Sequence, residues 1–175
     1  MTVSGAKATT ALGFLTVREH EEQGLFGGYL MLNTNGRPLE FHCTAPVKPN
    51  RAQEILYGPA LKPFLYAEQI GQTLLTRGKV TPYLVCTNSP LMLSVREFSA
   101  APVLLVLPPE TPASQWPANI HRFELAGQPV GLAPANADDR AEVLRLWQAH
   151  PTIVSLHEPF QRIREAIDEA RKSAA

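Results

Sequence analysis

Leu12, Phe14 and Thr16 alternate with Gly13, Leu15 and Val17, a period of two that predicts a strand ending in the polar run Glu19-His-Glu-Glu-Gln23. Gly27-Gly28 opens a second strand through Leu32, and Asn33-Thr-Asn-Gly36 holds the Asn-Gly pair that supplies positive φ in hairpin turns. A third strand, Pro38 to Thr44, should then pair antiparallel with the second, so the chain opens as a three-stranded meander. Asn50 with Gln53 makes a capping box, and Gly58-Pro59 stops the helix they begin. Phe64, Ala67, Gly71, Leu74 and Leu75 recur at helical spacing, with Gly71 placed for close packing against another element. Pro82 to Thr87, Leu91 to Glu97 and Pro102 to Leu107 read as three more strands, the last so uniformly aliphatic that both its faces should be covered. His121 to Leu125 and Pro129 to Ala133 suit a final hairpin, and helices follow at about 137–150 and 159–172.

These elements predict an α+β protein: a mixed, largely antiparallel sheet with helices on one face and C-terminal helices beyond it. Three strands, helices and three strands resemble the element order of profilin-like folds, the group that contains longin, roadblock, PAS and GAF domains. The resemblance lies in element order alone, and it implies a fold that hosts sensors, scaffolds and a few enzymes alike. Residues 1–10 are expected as a flexible tail, 11–107 as the core domain, 108–119 as a proline-rich connector, and 120–175 as a hairpin with a C-terminal helical extension.

Charge changes the picture by its balance. Sixteen Lys and Arg offset sixteen Asp and Glu, so no global field draws nucleic acid or anionic membrane, and nucleic acid is not expected as a partner. Only 18% of residues are charged against 45% hydrophobic, which hints at a covered partner surface and makes a protein partner or self-association the expectation. The longest aliphatic run, Val103 to Leu107, is far short of the ~20 residues that span a bilayer. Two cysteines make no disulfide framework, and a cytoplasmic setting is the simplest reading.

Candidate chemistry concentrates between His42 and Arg51. Lys48, Asn50 and Arg51 surround a helix start, where unpaired amides favour a small anion, and His42 lies just upstream; these four form the candidate ligand site. His42 and Cys43 are neighbours on a strand and face opposite sides, so no catalytic residue is assigned from them. No Cys-x-x-Cys or His-Glu-x-x-His spacing exists, and neither a metal site nor a cofactor is expected. Phe160, Ile163 and Ile167 form an apolar stripe on the last helix and are the candidate partner-binding residues.

The reading that follows is a non-catalytic cytosolic binding or adaptor module, acting through protein contacts or a small anion at the 44–51 loop. One alternative is a thiol-dependent enzyme using Cys43 or Cys86 with a histidine base. The other is a nucleic-acid-binding subunit with a local basic patch drawn from Lys48, Arg51, Lys62, Arg77 and Lys79, whose sequence spacing does not bring them together.

Overall fold

The structure, a computed structural model, describes residues 10–174. The expected tail at 1–10 lies almost wholly outside them. Strand β1 (Ala11–His20) pairs antiparallel with β2 (Gly24–Asn33), which pairs antiparallel with β3 (Pro38–Cys43), the expected meander. Gly36 takes the turn at φ +82, where its lack of a Cβ avoids the steric cost. Strict alternation along β3 would set Leu39 on the same face as Cys43. The register slips between Met31 and Leu32, leaving Leu39 opposite no partner and turning it to the face opposite Cys43.

Helix α1 (Arg51–Tyr57) carries the expected capping box. The stretches Leu61–Pro63, Phe64–Gln72 and Thr73–Arg77 then run on as one helix, α2, whose middle part has π-helical bonding. A Cβ on Gly71 would meet Val95 Cγ1 at 2.5 Å, so glycine there admits the segment that packs across it.

That segment corrects the expected strand at Leu91–Glu97. Pro90–Phe98 is a run of 3-10 helix that buries Met92, Leu93 and Val95. The reason is topological: β4 (Leu84–Thr87) and β5 (Val103–Leu105) are parallel neighbours, and a chain returning to the same end of a sheet must cross its face. The second half therefore does not follow the profilin-like order. A hairpin of β6 (His121–Leu125) and β7 (Gln128–Leu132) completes one seven-stranded sheet in the order β3-β2-β1-β4-β5-β7-β6. Four of its six pairings are antiparallel, so the fold is α+β with a mixed, largely antiparallel sheet.

Helices lie on both faces rather than one. α2 and the 90–98 segment bury Tyr66, Ile70, Leu74 and Met92 against Leu15, Tyr29 and Val85. On the other face α3 (Asp139–Ala149) and α4 (Pro159–Ala174) pack Val143, Phe160, Ile163 and Ile167 against Leu12, Phe14, Leu30 and Cys86. The hairpin and α4, expected as an extension, thus share the sheet and core of the first hundred residues. Val103 to Val106 are covered on both sides, as their uniform apolar character requires. Among the described residues no helix is long and apolar enough to cross a membrane.

The glycine pair of β2 sets how closely helices approach. A Cβ on Gly28 would come within 2.4 Å of Ile163 Cγ2, and one on Gly27 within 2.2 Å of Ile70 Cγ2. Gly28→Val should force α4 off the sheet at a cost of about 1–3 kcal/mol, lowering Tm by about 2–4 °C for each kcal/mol lost. A melt of this variant that matches the parent would show that α4 is not seated on the glycine.

Candidate functional site

Strand order reverses between β1 and β4, the one junction where β2 and β3 lie to one side and β5 to the other. In sheets of this kind the carboxyl ends of the parallel strands open a crevice at the reversal. Thr16, Arg18 and Asn88 line it from the strands, and Phe160, Arg164 and Ile167 from α4. Period two on β1 sends Thr16 and Arg18 to the α4 face along with Phe14, while Glu19 turns to the α2 face. The Thr16 hydroxyl donates to Asn88 Oδ1 at 2.6 Å, tying the two parallel strand ends together.

On α4, Arg164, Asp168 and Arg171 recur at spacings of four and three beside the apolar stripe, so docking the stripe delivers them to the end of β1. Arg18 grips Asp168 with two bonds, Nε to Oδ1 at 2.9 Å and Nη2 to Oδ2 at 3.1 Å. Arg171 Nη1 reaches the same carboxylate at 3.3 Å, and its Nε donates to Gln23 Oε1 at 2.8 Å. Two guanidiniums therefore share one carboxylate. Lys172 lines the same surface with no ion pair among the described residues. Among the described residues Lys48 reaches only the Glu22 carbonyl, at 3.4 Å, and Arg164 only the Gln161 side-chain oxygen. Around the corner Lys62 pairs with Glu19 at 3.1 Å, and that carboxyl is held below its usual range by the Tyr66 hydroxyl, which donates to it at 2.6 Å, and then by Lys62. Glu21 and Glu22 in the β1–β2 turn are exposed and counter part of this positive strip.

Next to the strip is a cleft of about 250 Å³ with mostly carbon walls: Phe26, Pro46, Ile167 and Ala170, with Cys43 and Thr44. Gln23 and Arg171 line both the cleft and the strip. The Arg171 guanidinium lies 5.5 Å from the centroid of the Phe26 ring.

The residues singled out from the sequence do not assemble into one site. His42 bonds Glu40 at 2.9 Å on the Tyr29 face of β3. Asn50 spends its side chain accepting from the Gln53 amide, and exposed Arg51 pairs with Glu54 at 3.1 Å. Lys48 alone of the four candidate ligand residues comes near the basic strip, at the carbonyl of Glu22, the chain neighbour of Gln23. Phe160, Ile163 and Ile167 are buried against the chain's own sheet, which takes them away from any partner while α4 is docked. The thiol alternative is not assembled either. Cys86 is fully buried, and burial pushes its thiol far above the ordinary range; Cys43 and His42 face opposite sides of β3. Among the described residues no group of three or more His, Cys, Asp or Glu side chains is gathered as a metal site. Arg18, Gln23, Phe26, Arg164, Arg171 and Lys172 escaped sequence reasoning, although an arginine on the core-facing side of a strand end was a readable signal.

No family model matches the chain, and no curated protein does. Among solved structures it is similar to Ciona intestinalis endonuclease V in complex with a 23mer DNA containing an inosine followed by a ribo-adenosine. Identity is 11%, the TM-score is 0.48, and the match covers 95% of this chain and 87% of that one. At those values the likeness assigns no chemistry to this chain. The expectation of a non-catalytic adaptor working through protein contacts, with nucleic acid discounted as a partner, is corrected: the structure it matches is a DNA complex, and Arg18, Arg171 and Lys172, none of them among the five basic residues considered from the sequence, line one surface. The discount rested on a charge balance averaged over the whole chain, and folding separates what that average conceals.

Two measurements check this geometry. Burial raises the Glu40 carboxyl, but bonds from His42 and from the Lys79 and Val80 amides outweigh it and leave the pKa lowered. A carboxyl lowered by folding stabilises the protein above its unfolded pKa of ~4.3 and ceases to do so as pH falls through the folded value. Glu40→Gln should therefore cost about 1 kcal/mol at pH 7, with the difference from the parent closing in acid below the usual carboxylate range. In thiol labelling, half-buried Cys43 should react in the native protein while Cys86 reacts only on unfolding; native labelling of Cys86 would overturn its placement in the core.

Proposed function

We propose that this chain is a nucleic-acid-binding domain that holds the phosphate backbone along the strip formed by Arg18, Lys48, Arg164, Arg171 and Lys172. The observation that carries the reading is the sharing of one carboxylate, Asp168, by Arg18 and Arg171, beside three further cations that have no carboxylate partner among the described residues. Shared guanidiniums keep unused N–H donors, and phosphate oxygens accept such donors bidentately. Clustered Lys and Arg bind nucleic acid through release of counterions, which needs a local excess of charge and not a basic protein overall. Of the five basic residues that first suggested a local patch, Lys48 and Lys62 lie by the β1–β2 turn, while Arg51 pairs with Glu54, Arg77 contacts the Cys43 carbonyl and Lys79 lies beside Glu40. The two free cysteines suit a reducing compartment such as the cytosol.

Fluorescence anisotropy with a labelled oligonucleotide at low salt tests the reading. Arg164→Glu with Lys172→Glu, both at exposed positions, should weaken binding at least tenfold and reduce the slope of log K against log salt by roughly one per lost phosphate contact. Arg145→Ala on α3, where Arg145 is paired with Glu142, should leave both unchanged. Glu21→Gln with Glu22→Gln should tighten binding. Equal affinity for the parent and the double charge reversal would discard the strip as the binding surface.

A further inference from the structure

The strip is a place for phosphate, but the carbon-walled cleft beside it asks for something else. Phe26, Pro46, Ile167 and Ala170 offer nothing to a phosphate, and the cleft shares Gln23 and Arg171 with the charged surface next to it. Apolar slot and cationic rim are thus one continuous depression. Its two halves match the two halves of a nucleotide, a flat apolar base and a charged phosphate. Resting on the nucleic-acid reading above, we propose that the cleft takes one base of a single strand, with the neighbouring phosphate on Arg18, Arg171 and Lys172.

Three observations support this occupant. A cleft of about 250 Å³ is smaller than the sites that hold drug-sized ligands and suits one ring system. Gln23 gives its side-chain oxygen to Arg171, while its amide nitrogen makes no hydrogen bond among the described residues and is available to the edge of a base. The Arg171 guanidinium, positioned over Phe26 and anchored by Gln23 and Asp168, offers a flat cationic surface at the mouth on which a base can stack. Bases in a duplex are paired and stacked and cannot enter a slot from the side, so the arrangement selects an unpaired strand.

Exposed Ala170 borders the slot and contributes only a methyl group, so Ala170→Phe fills the slot and leaves the charges in place. Anisotropy titrations would compare a deoxyribonucleotide and a ribonucleotide single strand with the corresponding duplexes, on parent and variant. The parent should bind at least one kind of single strand about tenfold more tightly than its duplex. Ala170→Phe should abolish that preference while duplex binding, which also reports that the variant is folded, stays at the parent level. A parent that binds duplex as tightly as both single strands, or a preference that survives Ala170→Phe, overturns the inference and leaves the strip standing. Binding of neither form at low salt overturns the nucleic-acid reading itself.

Discussion

Everything in this molecule hangs on the two different pairings of β1. One edge meets β2 antiparallel along its whole length, from Ala11 with Asn33 to His20 with Gly24, and the other meets β4 in parallel from Leu12 with Leu84 to Leu15 with Thr87. A strand paired on both edges and covered on both faces has no solvent-facing side until its far end, so Ala11 to Thr16 are buried while the chain opens to polar groups from Val17 onward. The Thr16–Asn88 bond marks the point where pairing with the parallel neighbour stops and the crevice starts.

The crevice owes its charge to packing. α4 is held to the sheet by Phe160, Ile163 and Ile167, and Phe160 meets Phe14 edge to face at 5.7 Å. With the stripe fixed over Gly28, helical geometry leaves no choice about where Arg164, Asp168 and Arg171 go: they land at the end of β1, beside Arg18. Asp168 then serves as an anchor that orients two guanidiniums and leaves charge over. The same docking sets Ile167 and Ala170 against Phe26 and the chain after β3, which builds the apolar slot next to the cations.

Local features were readable in the sequence because local physics governs them. Alternation along Leu12–Val17, the Asn-Gly turn at 35–36, the Asn50 capping box and the helical spacing of Phe160, Ile163 and Ile167 all depend on residues within a few positions of one another. Leu91–Glu97 was misread because a short apolar run has no period that separates a strand from a helical crossing; only the parallel pairing of β4 with β5 decides it. The slip that turns Leu39 to the other face likewise belongs to the partner strand as much as to β3.

By itself, then, the sequence determined an α+β class, the opening meander, helices α1 to α4 and the burial of the 103–106 strand on both sides. Tertiary structure decided the parallel half of the sheet, the presence of helices on both faces and the site. Arg18 and Asp168 are 150 positions apart, and Gln23 and Arg171 are 148. No local propensity links residues so distant; they meet because β1 and α4 are pressed together by apolar surface elsewhere along their lengths, and the charges beside that surface are carried with it.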